Sequence, residues 1–199
     1  VSVATTLATN AIVEGAGQPT ALILMPNGYL DPSEFDHPSA VVRGRIDISG
    51  HETEPVDATE IASVAKEIRR VHGVAAFAVS GYGGSVNPTH ELEAKRVIEA
   101  ATGCDVCCGH ELSDMLDFRI RANTAILNAG IIPLLERFIE DVEVVLDRIG
   151  MQATVMVVKG DGTLMDADYA RRHPVETILS GPAASIAGAR YLSRAGEAT

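Results

Sequence analysis

The chain has 199 residues, of which 46% are hydrophobic and 22% charged, a composition typical of globular proteins and unlike that of collagens, coiled coils or disordered chains. Acidic residues outnumber basic ones by 27 to 16, which gives a formal net charge of −11. This charge repels phosphate backbones and anionic lipid surfaces, so the sequence predicts no nucleic-acid partner and no membrane association.

The sequence carries no long apolar run and no basic segment ahead of an apolar one at its start, so it predicts neither a membrane span nor a signal peptide. Its three cysteines, Cys104, Cys107 and Cys108, are odd in number and closely spaced, which argues against a disulfide framework. We therefore expect a cytoplasmic location. Because the chain begins at Val1 without Met and ends abruptly at Thr199, we interpret it as a fragment of a longer protein.

Strands and helices are predicted to alternate in the first half of the chain. Crossovers of this length between successive strands imply parallel pairing, and hence an α/β fold with a mixed, largely parallel sheet and flanking helices. In chain order the predicted elements are a short helix (3–14), a strand (21–25), a loop (27–39), a strand (41–48), a helix that begins at the capping residue Asp57 and ends at Gly73, a strand (74–79), and a glycine-rich loop (80–86).

The second half begins with Asn87 and Pro88, which are typical of an N-cap and the first position of a helix. Pro133 is expected to kink or split the long helical segment that follows. In chain order the predicted elements are a helix (87–101), a strand (104–108), a helical segment (113–148), a strand (153–158), a turn (160–162), its partner strand (163–165), and a helix (183–192) that follows a break at Gly181-Pro182.

Two His-Glu dipeptides, His90-Glu91 and His110-Glu111, resemble the start of a zinc-protease helix but lack its second histidine. The cysteine cluster offers ligands of the kind zinc prefers, yet strand alternation places Cys104 and Cys108 on one face and Cys107 on the other. Buried, unreactive thiols are the alternative. The sequence therefore predicts no metal site, with a zinc site as the alternative.

Asp117, Arg121, Thr124 and Asn128 recur at spacings of four, three and four, which places them on one face of a helix. The expected apolar stripe of this helix includes Leu116, Ile120, Leu127, Ile131, Leu134 and Phe138. Arginine, threonine and asparagine offer directed hydrogen bonds, which favours ligand contact. The alternative is structural, with these side chains solvated or bonded to neighbouring backbone carbonyls.

Several segments, taken in order along the chain, resemble the hydantoinase/oxoprolinase family. They are Thr5-Thr6-Leu7-Ala8-Thr9-Asn10-Ala11 with Glu14-Gly15, Asn87-Pro88-x-His90-Glu91, His110-Glu111, Arg121-x-x-Thr124-x-x-x-Asn128-Ala129 with Pro133, and Pro174-Val175-x-Thr177-x-x-Ser180-Gly181-Pro182-Ala183-Ala184.

This resemblance implies part of an actin-like and sugar-kinase-like fold, in which two α/β domains close over ATP. The chain corresponds to the interior of the family's A-type subunit, between two phosphate loops that it does not contain. We therefore expect ATP and Mg to serve the longer protein, with no cofactor bound tightly to the fragment. One compact domain is expected over about residues 18–180, and the terminal helices are expected to belong to the nucleotide-binding core.

The resemblance also implies a function and a set of site residues. ATP-dependent opening of a hydantoin or 5-oxoproline-like cyclic amide is the expected reaction, with a ketone carboxylase subunit and a non-catalytic interaction domain as alternatives. A B-type subunit is the expected partner, a homo-oligomer is left open, and the catalytic residues are not assigned. Substrate contact is expected from Arg121, Thr124 and Asn128 at the border of a cleft, and nucleotide contact from Thr6, Asn10, Ser180 and Gly181.

Overall fold

The computed structural model describes residues 1–193, and the chain divides into two compact units. The central unit comprises residues 18–130, and the terminal unit comprises residues 1–17 together with those from 131 onward. The terminal unit joins both ends of the chain, since Met156 and Val157 pair with Ser2 and Val3. One compact domain over about residues 18–180 stays a prediction.

The bounds of the elements are as follows. The strands are β1 (Ser2–Val3), β2 (Thr20–Met25), β3 (Ser39–Val41), β4 (Arg45–Ile46), β5 (Glu52–Glu54), β6 (Ala76–Gly81), β7 (Asp105–Cys108), β8 (Met156–Val158) and β9 (Leu164–Asp166). The helices are α1 (Leu7–Glu14), α2 (Ala58–His72), α3 (Thr89–Thr102), α4 (Gly109–Leu112), α5 (Phe118–Arg148), α6 (Ala167–Arg172) and α7 (Ser180–Ser193), with 3-10 turns at Pro32–Glu34 and Pro174–Thr177.

The central unit is built on a parallel four-stranded sheet of order β3-β2-β6-β7, which confirms the predicted fold class. Strands β2 and β6 are buried along their whole length because helices cover both faces. Alternate residues of β2 face opposite ways. Ile23 packs in one cluster with residues of α2 and α3, whereas Leu22 and Leu24 pack in another with residues of α5.

Helix α2 begins as the sequence predicts. The carboxylate of Asp57 accepts hydrogen bonds from the backbone N–H groups of Thr59 (2.9 Å) and Glu60 (3.1 Å). Gly73 ends the helix in the left-handed conformation, with φ of 63°, which glycine adopts without steric cost. Local sequence signals therefore define both ends of this helix.

Three predictions about the central unit were wrong. The strand predicted over 41–48 is split between β3, in the parallel sheet, and β4, which pairs antiparallel with β5 in a separate ribbon. The helical segment predicted from Ser113 is interrupted, and α5 begins only after Asp117, whose carboxylate accepts from the N–H of Arg119. The third error concerns the face of α5 that is buried.

Within the central unit, helix α5 packs largely through small residues, whereas Ile131 and Phe138 of the expected stripe do pack in the terminal unit. Leu116 and Ile120 are exposed, at 61% and 41%. The buried face is displaced because alanines allow the helix to approach the sheet closely. Pro133 lies inside the helix and does not split it. The buried residues up to Gly130 are Phe118, Arg121, Ala122, Ala125, Ile126, Asn128 and Ala129.

The terminal unit contains a three-stranded sheet in which β8 pairs parallel with β1 and antiparallel with β9. The turn between β8 and β9 forms where predicted, with Asp161 accepting from the N–H of Thr163 at 2.9 Å. The predicted helix over 3–14 begins at Leu7, since Ser2 and Val3 are in β1, and helix α7 begins at Ser180, before the expected break. Among residues 1–193, no helix is both long and apolar enough to cross a membrane.

Asp57 provides a pH-dependent test of the α2 start. Its hydrogen bond from the N–H of Glu60 lowers the pKa of the carboxyl, so its stabilising contribution exists above the ordinary aspartate value and is lost as the pH falls through the lower, folded-state value. We expect Asp57→Ala to reduce the urea midpoint of unfolding at neutral pH, and the difference from wild type to shrink below about pH 4. Asp57→Asn, which keeps an acceptor, is the control and should lose much less. A difference between wild type and Asp57→Ala that is equal at pH 7 and pH 3 would contradict this assignment.

Candidate functional site

Ligands of open α/β sheets usually bind beyond the carboxyl ends of the parallel strands. In the central unit, β6 ends at Gly81 and continues into a glycine-rich loop, and β7 ends at Cys108 and continues directly into α4. Helix α3 begins nearby, so its first-turn residues reach both of these connections. This edge of the sheet is the first candidate site.

Glu91, in the first turn of α3, is fully buried at this edge. Its Oε1 accepts from the N–H of Gly81 at 2.8 Å, and its Oε2 accepts from the N–H of His110 at 2.9 Å. The ring Nδ1 of His110 lies 2.7 Å from the same Oε2. Three donors thus stabilise a carboxylate that would otherwise be costly to bury. One side chain therefore links α3 to the residues that follow β6 and β7.

A metal ligand set is suggested by Glu91, Cys108 and His110, whose candidate ligand atoms all lie within 4.8 Å of one another. Their chemistry does not fit a metal. Both oxygens of Glu91 already accept from N–H groups, and burial raises the pKa of the Cys108 thiol, which opposes the thiolate that zinc requires. Cys108 lies against the carbonyl of Glu91 at 3.6 Å. We interpret the three residues as a packed hydrogen-bonded cluster.

Arg121 lies in the same part of the central unit, entirely buried. Its Nη2 donates to the carbonyls of Gly81 (2.6 Å) and Tyr82 (2.9 Å), and its Nη1 donates to the carbonyl of Met115 (2.5 Å). Burial lowers the pKa of this guanidinium, and the charge of Glu91 acts in the opposite direction. Arg121 therefore holds the loop after β6 and the segment before α5.

The other members of the predicted polar face have separate surroundings. Asn128 is buried and donates to Sγ of Cys107 at 3.6 Å, on the opposite face of β7 from Cys108. Thr124 donates to the carbonyl of Ile120, in its own helix, at 2.9 Å. The contacts of Arg121 and Asn128 with their own unit favour the structural alternative for these residues.

Two further contacts at this edge were missed by the sequence analysis. His90, also buried, lies with its Nε2 2.7 Å from Oε2 of Glu52 in the β4–β5 ribbon. The Glu91–His110 contact was missed as well. The signal in the sequence is the pair of His-Glu dipeptides, because the glutamate of the first binds the histidine of the second.

In the terminal unit, the four residues predicted to contact nucleotide lie together. Oγ of Ser180 donates to the carbonyl of Thr5 at 2.9 Å, and Nδ2 of Asn10 lies 3.4 Å from Oγ1 of Thr6. A Cβ added at Gly181 would be 3.5 Å from the Thr6 side chain. Helices α1 and α7 both begin here, so their first-turn N–H groups lack helical partners and favour anions. This cluster is the second candidate site.

Family models match most of the chain. The model described as hydantoinase/oxoprolinase N-terminal region matches residues 1–102, and the model described as hydantoinase/oxoprolinase matches residues 121–198. These matches cover both units.

Individual proteins are also similar to most of the chain. The caprolactamase subunit alpha of Pseudomonas jessenii is 29% identical over 91% of this chain and 29% of its own length. An uncharacterized protein of Methanocaldococcus jannaschii is 24% identical over 96% of this chain and 32% of its own length. The chain thus spans about a third of the length of these relatives.

Solved structures show the same fold. The crystal structure of ATP-dependent caprolactamase from Pseudomonas jessenii matches with a TM-score of 0.82 and 25% identity, over 98% of this chain and 32% of that one. A nucleotide-free acetone carboxylase matches with a TM-score of 0.81 and 17% identity, over the same shares of the two chains. The chain is therefore part of an actin-like ATPase fold.

Gly84 tests how tightly the loop after β6 packs on Glu91. A Cβ at position 84 would overlap Oε1 of Glu91, so we expect Gly84→Ala to destabilise the protein by about 1–3 kcal/mol. The matched control is Gly130→Ala, whose Cβ would lie 3.9 Å from the carbonyl of Gln18 and which should be neutral or stabilising in a helix. Urea unfolding measures both. Equal midpoints for the two variants would contradict the packing described.

The Glu91 cluster also predicts the metal content. Elemental analysis of the purified protein should find no stoichiometric zinc, and EDTA should leave the melting temperature unchanged. Replacing both Cys104 and Cys108 with serine should lower stability by burying hydroxyls, without loss of any metal. About one zinc per chain, whose removal lowers the melting temperature, would reverse this interpretation.

Proposed function

Since this chain belongs to the hydantoinase/oxoprolinase family, we propose that it is part of an ATP-dependent subunit that opens a cyclic amide ring. The observation that carries the proposal is the likeness to the caprolactamase alpha subunit, which extends along 91% of the chain. A hydantoin or 5-oxoproline-like ring is the proposed substrate class. The wider enzyme would contain the remaining two thirds of the length seen in relatives.

The proposed chemistry addresses the low reactivity of an amide carbonyl. Transfer of the γ-phosphoryl group of ATP to the ring amide oxygen makes the carbonyl carbon more electrophilic and opens it to attack by water. Mg would accompany the ATP, because it neutralises phosphate charge during such transfers. A B-type partner subunit would complete the reaction, because the caprolactamase relative is itself one subunit, alpha, of an enzyme.

We assign the nucleotide contact to the terminal unit. Thr6 and Gly181 lie side by side where α1 and α7 begin, and Asn10 and Ser180 support them. The positive ends of two helix dipoles favour phosphate oxygens, and the exposed hydroxyl of Thr6 offers a donor. The buried Ser180 has a positioning role in this proposal, since its hydroxyl bonds to the backbone of Thr5.

A ketone carboxylase subunit is the second candidate, because acetone carboxylase shares the fold of this chain. At 17% identity the match shows the fold alone, so the assay below must decide between the two reactions. A non-catalytic interaction domain is the remaining alternative. For Arg121, Thr124 and Asn128 we propose structural roles, since two of them are buried against their own unit.

The decisive assay measures ATP turnover by the complete enzyme with its partner subunit. We expect phosphate release to depend on added cyclic amide and not on bicarbonate. Bicarbonate dependence with a ketone would favour the carboxylase, and the absence of any substrate-dependent turnover would favour the interaction domain.

Thr6 provides the corresponding mutational test. Because its side chain is exposed, Thr6→Ala should leave the melting temperature nearly unchanged. Loss of one hydrogen bond to a charged phosphate should raise the KM for ATP by roughly 10-fold or more. Ser185→Ala is the matched control, since Ser185 is an exposed residue of α7 that bonds to the carbonyl of Gly181 within its own helix. Equal ATP affinities for both variants and wild type would contradict the nucleotide assignment.

A further inference from the structure

His110 combines a fixed side with an open side. Its Nδ1 lies 2.7 Å from Oε2 of Glu91, and its backbone N–H donates to the same oxygen. A carboxylate oxygen can accept but not donate, so Nδ1 carries the proton. In the neutral imidazole the lone pair is then on Nε2. The fold therefore selects one tautomer of this histidine.

The opposite nitrogen is accessible. Within residues 1–193, Nε2 of His110 makes no hydrogen bond. The buried polar atoms without a partner in this part of the chain are Arg45 Nε, Ser85 Oγ and Arg121 Nε. Because Nε2 of His110 is not one of them, it is accessible to solvent. Its side chain is 17% exposed, whereas that of His90 is 4% exposed and has its Nε2 against Glu52. Of these two histidines at the sheet edge, His110 retains a basic atom that solvent can reach.

The support for this imidazole is rigid. Glu91 is held on its other oxygen by the N–H of Gly81, and Arg121 holds the carbonyl of the same glycine at 2.6 Å. His110 itself lies in α4, directly after β7, at the edge of the sheet where ligands of this fold class bind. A buried carboxylate that orients a histidine and leaves its second nitrogen free is the arrangement used for acid–base catalysis.

We propose that His110 is the acid–base residue of the ring-opening step and that Glu91 is its positioning residue. This inference rests on the proposed function. As the oxygen–carbon bond from water forms, Nε2 takes a proton from that water. As the carbon–nitrogen bond of the ring breaks, its electron pair stays on nitrogen and Nε2 returns the proton to that nitrogen. The histidine ends the step unchanged, having moved one proton from water to the amine of the product. The remaining hydroxyl proton goes to solvent as the carbon–oxygen double bond forms, and the phosphoryl group stays on the other oxygen as an acyl phosphate. A second water hydrolyses this acyl phosphate to a carboxylate and inorganic phosphate.

Other charged and titratable groups lie close enough to shape the pH dependence. Glu91 and the Lys95–Glu111 ion pair, with its 3.0 Å separation, belong to α3 and α4. Cys108 faces the cluster from β7, and Arg121 faces it from α5. The variants that test the proposal therefore leave all five of these groups in place.

The test uses the complete enzyme with ATP and a cyclic amide. His110→Asn is the main variant, because the Asn amide can still donate to Glu91 but offers no basic nitrogen. We expect ring opening to slow by about 10²–10⁴-fold, with less than about a 2-fold change in the KM for ATP, and the ascending limb of the pH profile to disappear. His51→Gln is the matched control, since His51 is 82% exposed and paired with Asp47, and it should behave as wild type.

A second variant and a spectroscopic measurement distinguish loss of the basic nitrogen from misfolding of the variant. Added imidazole should restore part of the activity of His110→Ala and none of that of His51→Gln. Long-range ¹H–¹⁵N correlation spectra of the 199-residue chain should show His110 protonated on Nδ1 at high pH. A proton on Nε2, or His110→Asn and His110→Ala variants that fold and open the ring at the wild-type rate, would overturn the role of His110. A wild-type enzyme that consumes no ATP with any cyclic amide would instead overturn the proposed function, and this role with it.

Discussion

The buried carboxylate of Glu91 is the interaction on which the edge of the central sheet depends. Without its three N–H donors, from Gly81 and His110, a carboxylate in this position would be strongly unfavourable. Without the carboxylate, these donors would be buried with no acceptor, which costs about 1–3 kcal/mol for each one left unpaired. Each partner therefore requires the others, and the loop after β6, the start of α4 and the start of α3 are fixed as one assembly.

Neighbouring residues of α3 extend this assembly in two directions. Consecutive helical residues project about 100° apart, so His90 and Glu91 point in different directions. His90 reaches Glu52 in the β4–β5 ribbon, and Glu91 reaches across to His110. The ribbon in turn packs on the loop after β6, where a Cβ at Gly83 would lie 2.5 Å from the Ile46 side chain. Gly83 and Gly84 of this loop are thus required by close packing.

The sequence predicted those features that local chemistry determines. Asp57 and Gly73 define α2, and continuous apolar runs predict β2 and the parallel sheet. Prediction failed where contacts between residues far apart in the sequence determine the structure. Strand β4 leaves the parallel sheet because Glu52–Glu54 offers it an antiparallel partner, and the buried face of α5 follows the alanines that fit the sheet. The Glu91–His110 contact joins residues 19 positions apart, and neither dipeptide alone indicates it. In the terminal unit Thr6, Asn10, Ser180 and Gly181 lie near one another because α1 and α7 begin side by side, and their contact with nucleotide stays a prediction.

Arg121 and His110 show how two nitrogen-bearing side chains acquire different roles at one edge of the sheet. From the sequence, the arginine was the stronger ligand candidate, because a guanidinium has several directed donors. In the structure both of its terminal nitrogens are occupied by backbone carbonyls within a buried setting, so a ligand could recruit them only by breaking the loop that they hold. The histidine commits one nitrogen to Glu91 and keeps the other accessible. A side chain that bonds directly to substrate needs an accessible atom, so we assign the proposed chemistry at this edge to His110 and the support of the loop to Arg121.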